Sequence, residues 1–180
     1  MARGKEEKLQ NKLLDYLRSS KEIKKYGLQI GQGIQVPKDF TYIPYKNKFC
    51  LGGVQTDISL YKEVDENISN NLIYTTRVNN SKDKKIRIPY LVLELKTGSL
   101  TSDAIRARDL VARDIKNIFP HIPYLFIAEN TNKKNETLFR QGKSFTNFYI
   151  KSTKFKEEDF KNIARLIVHH LSLMKNNGII

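Results

Sequence analysis

The sequence feature that most constrains the fold is the run IPYLVLELK at residues 88–96. It is almost continuously apolar, which is typical of a central strand covered on both faces. Residues 101–119 then repeat apolar side chains at intervals of three and four, as in an amphipathic helix whose start Thr101 or Ser102 can cap. A second apolar run follows at residues 122–130. We therefore predict a strand–helix–strand crossover unit.

The remaining segments extend this unit to an α/β fold. Residues 5–18 and 156–175 have the apolar periodicity of an opening and a closing helix, residues 51–61 alternate like a strand, and residues 145–152 resemble an edge strand. We predict a central mixed β-sheet flanked by helices, in one domain over residues 1–180 with polar insertions at about 62–87 and 130–147.

Net charge is the first indication of function. The chain has 32 Lys and Arg against 19 Asp and Glu, which gives a formal charge of +13 and a pI of about 9.7. The positive charge is spread along the chain, so it is expected on the folded surface and not on a tail. Such a field attracts polyanions, and nucleic acid is the expected partner.

Several other classes of protein are excluded. The apolar stretches are too short to cross a bilayer, and no segment has the pattern of a secretion signal. Cys50 is the only cysteine, so no intramolecular disulfide can form, and a reducing cytoplasm is the expected compartment. The histidines do not form zinc-ligand spacing with Cys50.

Charged residues at the end of the central strand are the candidate site. Strand alternation places Glu94 and Lys96 on one face and Leu95 on the other. Because burying an unpaired charge is costly, these side chains need partners, and a metal ion is one possibility. Asp57 lies 37 residues earlier in a second candidate strand. If the strands pair, its carboxylate can meet that of Glu94, and with the Leu95 carbonyl they form an oxygen site suited to Mg²⁺.

These residues resemble the PD-(D/E)XK phosphodiesterase superfamily, which includes type II restriction endonucleases, repair nucleases and Holliday junction resolvases. The matching residues are Asp57 in GGVQTDISLY and Glu94-Leu95-Lys96 in LVLELKTG, followed by a helix and the strand IPYLFIA. The resemblance implies Mg²⁺ dependence, with one or two ions per site, and hydrolysis of DNA to 5′-phosphate and 3′-hydroxyl ends. It also implies that Asp57 and Glu94 are metal ligands and that Lys96 is the catalytic lysine.

The sequence departs from the family pattern at two points. Thr56 stands where the motif has proline, and the spacing from Asp57 to Glu94 is long. Asp65 and Asp83 are therefore alternatives to Asp57 as the first ligand.

Two further residues are candidates for auxiliary roles. Glu6 falls on the apolar side of the opening helix, and the resemblance implies that it approaches the metal through water; the alternative is a frayed helix end that meets solvent. Arg108 lies within the apolar stripe of the 101–119 helix. It can reach the phosphate in the active site, or it can form a salt bridge near Glu94 or with Asp109.

Three functional hypotheses follow. The first is a site-specific endonuclease similar to a type II restriction enzyme, acting on double-stranded DNA as a homodimer. The second keeps the same site but makes a branched DNA structure the substrate. The third is a basic nucleic-acid-binding protein without catalysis, in which Glu94 and Lys96 are a solvated pair and Asp57 is a turn residue.

Overall fold

A computed structural model describes residues 2–64, 72–75, 86–129 and 140–180. The main helices are α1 (Ala2–Ser19), α2 (Lys21–Lys24), α3 (Ser102–Ile118) and α4 (Glu157–Asn176). The strands are β1 (Gln29–Ile43), β2 (Lys48–Val64), β3 (Leu72–Thr75), β4 (Ile86–Thr97), β5 (Tyr124–Glu129) and β6 (Asn147–Lys151). No helix in these ranges is both long enough and apolar enough to span a bilayer.

The strands form a six-stranded mixed sheet in the order β1-β2-β4-β5-β6, with β3 also paired to β2. Strands β1, β2 and β4 are antiparallel neighbours, whereas β4, β5 and β6 are parallel. The predicted α/β class and mixed sheet are therefore confirmed, and β4, α3 and β5 form the predicted crossover. The predicted edge strand is also present, as β6 at one border of the sheet.

One predicted insertion begins later than expected. Residues 62–64 continue β2, and they pair with residues 86–88, which belong to β4. The polar composition is explained by an ion pair across the two strands, in which Arg87 Nε lies 3.2 Å from Glu63 Oε1. Strand β3 lies inside the remaining segment and pairs in parallel with the start of β2. Asp65 and Asp83, the alternatives to Asp57, lie outside the described residues.

The sheet separates two apolar clusters, and β4 contributes to both. Leu91, Leu93 and Leu95 pack with α1, α2 and α4 on one face. On the other face Val92 packs with residues of α3 and with Phe126 and Ala128 of β5. This alternation is what a strand covered on both faces requires. Glu94 therefore follows Val92 on the face that α3 covers, where it meets Arg108, whereas Lys96 near the end of the strand contacts Glu6 of α1.

Helix α4 is anchored to β6 through Asp159. Its Oδ2 accepts hydrogen bonds from Lys151 Nζ at 2.8 Å and from the Lys156 amide at 2.7 Å. Burial alone would raise the pKa of Asp159, but these hydrogen bonds outweigh that effect and hold the pKa below its ordinary value. The carboxylate thus stabilises the first turn of α4 and fixes it against the sheet.

We predict that Asp159→Asn lowers the free energy of unfolding by about 1–2 kcal/mol at neutral pH, because a helix cap and a charged hydrogen bond are lost. The folded pKa lies below the unfolded value of 3.8, so the wild-type advantage is complete above that value and is lost as the pH falls through the folded pKa. Urea denaturation of wild type and Asp159→Asn at pH 7 and near pH 2 measures this difference in the free energy of unfolding. Glu157→Gln, in the same helical turn, is the control, and equal losses in both variants would contradict this role.

Candidate active site

The candidate site lies where β2 and β4 stop pairing. Their antiparallel register ends at Ile58 opposite Leu93. Beyond this point β4 continues to Thr97 beside β5, whereas β2 continues along β1. The opening between Asp57 on β2 and Glu94–Lys96 on β4 is called the fork here. Backbone groups at the fork are no longer used by the ladder between the two strands, so they are available to side chains.

Asp57 fills part of this opening. Its Oδ2 accepts a hydrogen bond from the Leu95 amide at 2.7 Å, and Gln10 of α1 donates to the Asp57 main-chain carbonyl. The N–H and C=O of one strand residue point to the same side. The Leu95 carbonyl is therefore directed into the fork beside the Asp57 carboxylate. Asp57 thus lies where the sequence hypothesis required it, one position beyond the last paired residue of β2.

Glu94 lies next to Asp57 and is held by two further residues. Arg108 of α3 places Nε 2.5 Å from Glu94 Oε1, and the Tyr124 hydroxyl donates to Oε2 at 3.3 Å. The Nε–H bond of Arg108 is not aligned with this oxygen, so the contact is an ion pair without a hydrogen bond from Nε. The salt-bridge alternative for Arg108 is therefore the one observed, and Asp109 instead accepts a hydrogen bond from the Ser144 amide.

The two carboxylates oppose each other's ionisation. Burial raises the pKa of Glu94 to about 7, with the charge of Asp57 as the second cause, and the Arg108 guanidinium only partly offsets the two. The pKa of Asp57 is also raised, first by burial, although the Leu95 amide lowers it; the charge of Glu6 raises it further. Both carboxylates therefore resist ionisation chiefly because they are buried, and the nearby cations Arg108 and Lys96 only partly offset this effect.

Lys96 projects from the same end of β4 and contacts α1. Its Nζ lies 2.7 Å from Glu6 Oε2, and about a quarter of each side chain is exposed. Glu6 thus lies at the border of the fork, where its carboxylate forms an ion pair with Lys96 and its charge acts on Asp57. Its approach to a metal through water stays a prediction. The structure brings together Asp57, Glu94, Lys96, Glu6 and Arg108, which come from four different elements.

Two residues of the site were missed by sequence reasoning. Tyr124 opens β5 and donates to Glu94, and burial raises its pKa well above the ordinary value. Its only signal was a hydroxyl at the start of a run that is otherwise apolar. Gln10 follows Leu9 on α1, and nothing in the helical pattern distinguishes it from an exposed polar residue.

The donor set of the fork fits a hard divalent cation. It comprises the Asp57 and Glu94 carboxylates and the Leu95 carbonyl, and oxygen ligands of this kind suit Mg²⁺ or Mn²⁺. Within the described ranges no three His, Cys, Asp or Glu side chains converge as a complete metal cluster. A cation bound here would therefore retain several water molecules, which is common for Mg²⁺. It would also add to the positive charge of Arg108 and Lys96, which only partly offsets the raised pKa values of the two carboxylates.

We predict that the cation-free protein loses stability as the pH rises from 4.5 to about 7, because the folded state holds a proton at Glu94 that the unfolded chain has released. Glu94→Gln removes this titration. The decrease in the free energy of unfolding across that pH window should therefore be smaller by about 1–3 kcal/mol in the variant. Urea unfolding in EDTA at several pH values measures it. Glu7→Gln, which removes an exposed carboxylate of α1, is the control; parallel profiles for wild type and Glu94→Gln would contradict the prediction.

Comparison with known proteins gives no relative from which a function could be transferred to the fork. No protein-family model matches the sequence, and no curated protein matches it. The function of the fork has therefore to be inferred from its own residues.

Proposed function

We propose that the chain is a divalent-metal-dependent endonuclease that hydrolyses phosphodiester bonds in DNA. The observation that carries the proposal is the fork, where two carboxylates with raised pKa values and a main-chain carbonyl lie next to a lysine. A cation bound between the two carboxylates would remove their mutual repulsion and favour their ionised forms.

Asp57, Glu94 and the Leu95 carbonyl would hold the cation. When bound, it would neutralise phosphate charge and acidify a water molecule. The chain's own residues organise this place before substrate arrives. The Leu95 amide fixes the Asp57 carboxylate, and Arg108 with Tyr124 fixes that of Glu94. Preorganised groups of this kind need no rearrangement during the reaction.

Lys96 supplies a positive charge beside the proposed cation site. In the proposed reaction its ammonium group orients the attacking water and stabilises the negative charge that develops on the phosphate oxygens. Glu6 holds the ammonium at a defined position until the phosphate arrives. The substrate phosphate competes with Glu6 for the Lys96 ammonium group. Lys96 can therefore exchange Glu6 for the phosphate without leaving the fork.

The overall charge favours DNA as the substrate. A formal charge of +13 attracts the phosphate backbone whatever its sequence. We propose a site-specific enzyme similar to a type II restriction endonuclease, which would act as a homodimer because cleavage of both strands of a palindrome needs two sites related by a two-fold axis. A structure-specific nuclease would use the same fork on branched DNA.

We predict that the purified protein cuts plasmid DNA with Mg²⁺ and not with EDTA, and that Asp57→Asn, Glu94→Gln and Lys96→Ala each reduce cleavage at least 100-fold. One removed group that stabilises transition-state charge commonly costs this much. Lys62→Ala, which removes an exposed lysine from the far end of β2, is the matched control for Lys96→Ala. Gel analysis of linear and plasmid products measures cleavage.

Three results would decide between the hypotheses. Discrete fragments support sequence recognition, whereas cleavage confined to Holliday junctions or flaps supports the structure-specific alternative. Retained cutting in both Glu94→Gln and Lys96→Ala would contradict the assigned roles. DNA binding with no metal-dependent cleavage under any condition would favour the third hypothesis, a binding protein without catalysis.

We also predict that Mg²⁺ or Mn²⁺ stabilises the wild-type protein above pH 7. At 100 times the Kd, binding to the folded state alone adds about 2.7 kcal/mol to the free energy of unfolding. Asp57→Asn removes one ligand and should abolish most of this gain in a thermal unfolding assay. Asp103→Asn, at an exposed position of α3, is the control. An unchanged Tm increase in Asp57→Asn would place the cation elsewhere.

A further inference from the structure

A cavity of about 610 Å³ opens beside Lys96 on the side away from Asp57. Helix α1 forms one wall, and residues 97–99 at the end of β4 form another. The segment that precedes α4, together with its first turn, closes the cavity with Phe155 and Phe160. Five lysines line it: Lys5, Lys8, Lys12, Lys96 and Lys154.

Positive charge dominates this cavity. Its one acidic lining residue is Glu129, whose Oε2 already accepts a hydrogen bond from the Phe155 amide at 2.8 Å. In the part of the chain that the structure describes, Lys96 forms an ion pair with Glu6, whereas the other four lysines of the cavity form none. By contrast, Lys151 on β6 is paired with Asp159. The cavity therefore concentrates uncompensated positive charge and favours an anion.

The lysines of α1 form a row. Lys5, Lys8 and Lys12 are spaced three and four residues apart, which places them on one helical face. With a rise of about 1.5 Å per residue the row is roughly 10 Å long. One DNA strand carries a phosphate every 3.4 Å or so along the helix axis, so a row of this length matches about three phosphates.

The size of the cavity restricts what can enter. A volume of about 610 Å³ is typical of a small-ligand pocket. A duplex, whose major groove alone is about 12 Å wide, does not fit inside it. The backbone of one strand does, whether that strand is free or belongs to a duplex whose other strand stays outside the cavity. Leu9, Phe155 and Phe160 provide apolar surface against which its sugars can lie.

The other side of the fork is lined by acidic residues and not by lysines. A second cavity of about 480 Å³ is lined by Glu6, Glu7 and Asp57, together with glutamines. Its carboxylates repel phosphates. Because Lys96 lines the first cavity and Glu6 lines the second, their ion pair marks the boundary between a cationic and an anionic region.

We infer that the cationic cavity binds the phosphate backbone of one DNA strand immediately next to the phosphate that is cut. This assignment rests on the proposed function and specifies how its substrate lies. The strand approaches Lys96 from the lysine side, so that its next phosphate reaches the fork. Lys8, Lys12 and Lys154 are then binding residues, and they play no part in the chemistry.

The test measures DNA binding without a divalent cation. A 20-base-pair duplex and a 20-nucleotide single strand are titrated in EDTA at several salt concentrations, with wild type and with the double variant Lys8→Ala/Lys12→Ala. Each lost phosphate contact lowers the slope of log Kobs against log salt by about 0.9 for a duplex and about 0.7 for a single strand. We expect the slope to fall by roughly 2 for the duplex and 1 to 1.5 for the single strand.

Lys21→Ala/Lys24→Ala is the matched control, because it removes two exposed lysines from α2, which lines neither cavity. This pair should keep the wild-type slope. Lys154→Ala tests the opposite wall and should lower the slope by about 0.9 for the duplex. Equal losses in the two double variants, or no loss with Lys8→Ala/Lys12→Ala and with Lys154→Ala, would overturn the inference. The expected slope losses in the cavity variants, combined with absent plasmid cleavage by the wild type, would instead refute the nuclease while leaving the anion site intact.

Discussion

The hydrogen bond from the Leu95 amide to the Asp57 carboxylate is the contact on which the candidate site depends. Strands β2 and β4 separate after Ile58 and Leu93, and a separating pair leaves main-chain groups without ladder partners. Asp57 satisfies one of these groups with its side chain. The same contact brings its carboxylate next to Glu94 and the Leu95 carbonyl. A local requirement of the sheet thus produces the cluster of oxygens to which the proposed chemistry is assigned.

That cluster has a cost in stability. Burial and the charge of Asp57 raise the pKa of Glu94, so the two carboxylates destabilise one another near neutral pH. Arg108 and Lys96 offset part of the repulsion from opposite sides. Proteins keep such unfavourable arrangements mainly at functional sites, where a ligand later relieves them. In the proposed function a divalent cation would relieve this one, and the lysine-lined cavity beside it would bind the negatively charged backbone of the substrate.

Much of the fold follows from local sequence patterns, whereas much of the site does not. The continuous apolar run of β4 and the helical spacing of α3 are sufficient to predict the crossover and the position of Glu94 and Lys96 near the end of its first strand. The pairing of Asp57 depends on a contact across 37 residues, which no local period specifies. The ion pair between Glu6 and Lys96 was not foreseen either, because only the packing of α1 determines which side chain Glu6 meets. Tyr124 was missed because a hydroxyl in a buried run gives no hint of its partner.

The central claim is that the fork between β2 and β4 holds a divalent cation. Crystals grown with Mn²⁺ and measured at the manganese absorption edge test it most directly. The account predicts an anomalous peak at the fork, with Asp57, Glu94 and the Leu95 carbonyl at oxygen–metal distances of roughly 2.0 to 2.6 Å. A fork without an anomalous peak at saturating Mn²⁺, or a peak only at another place, would contradict the account.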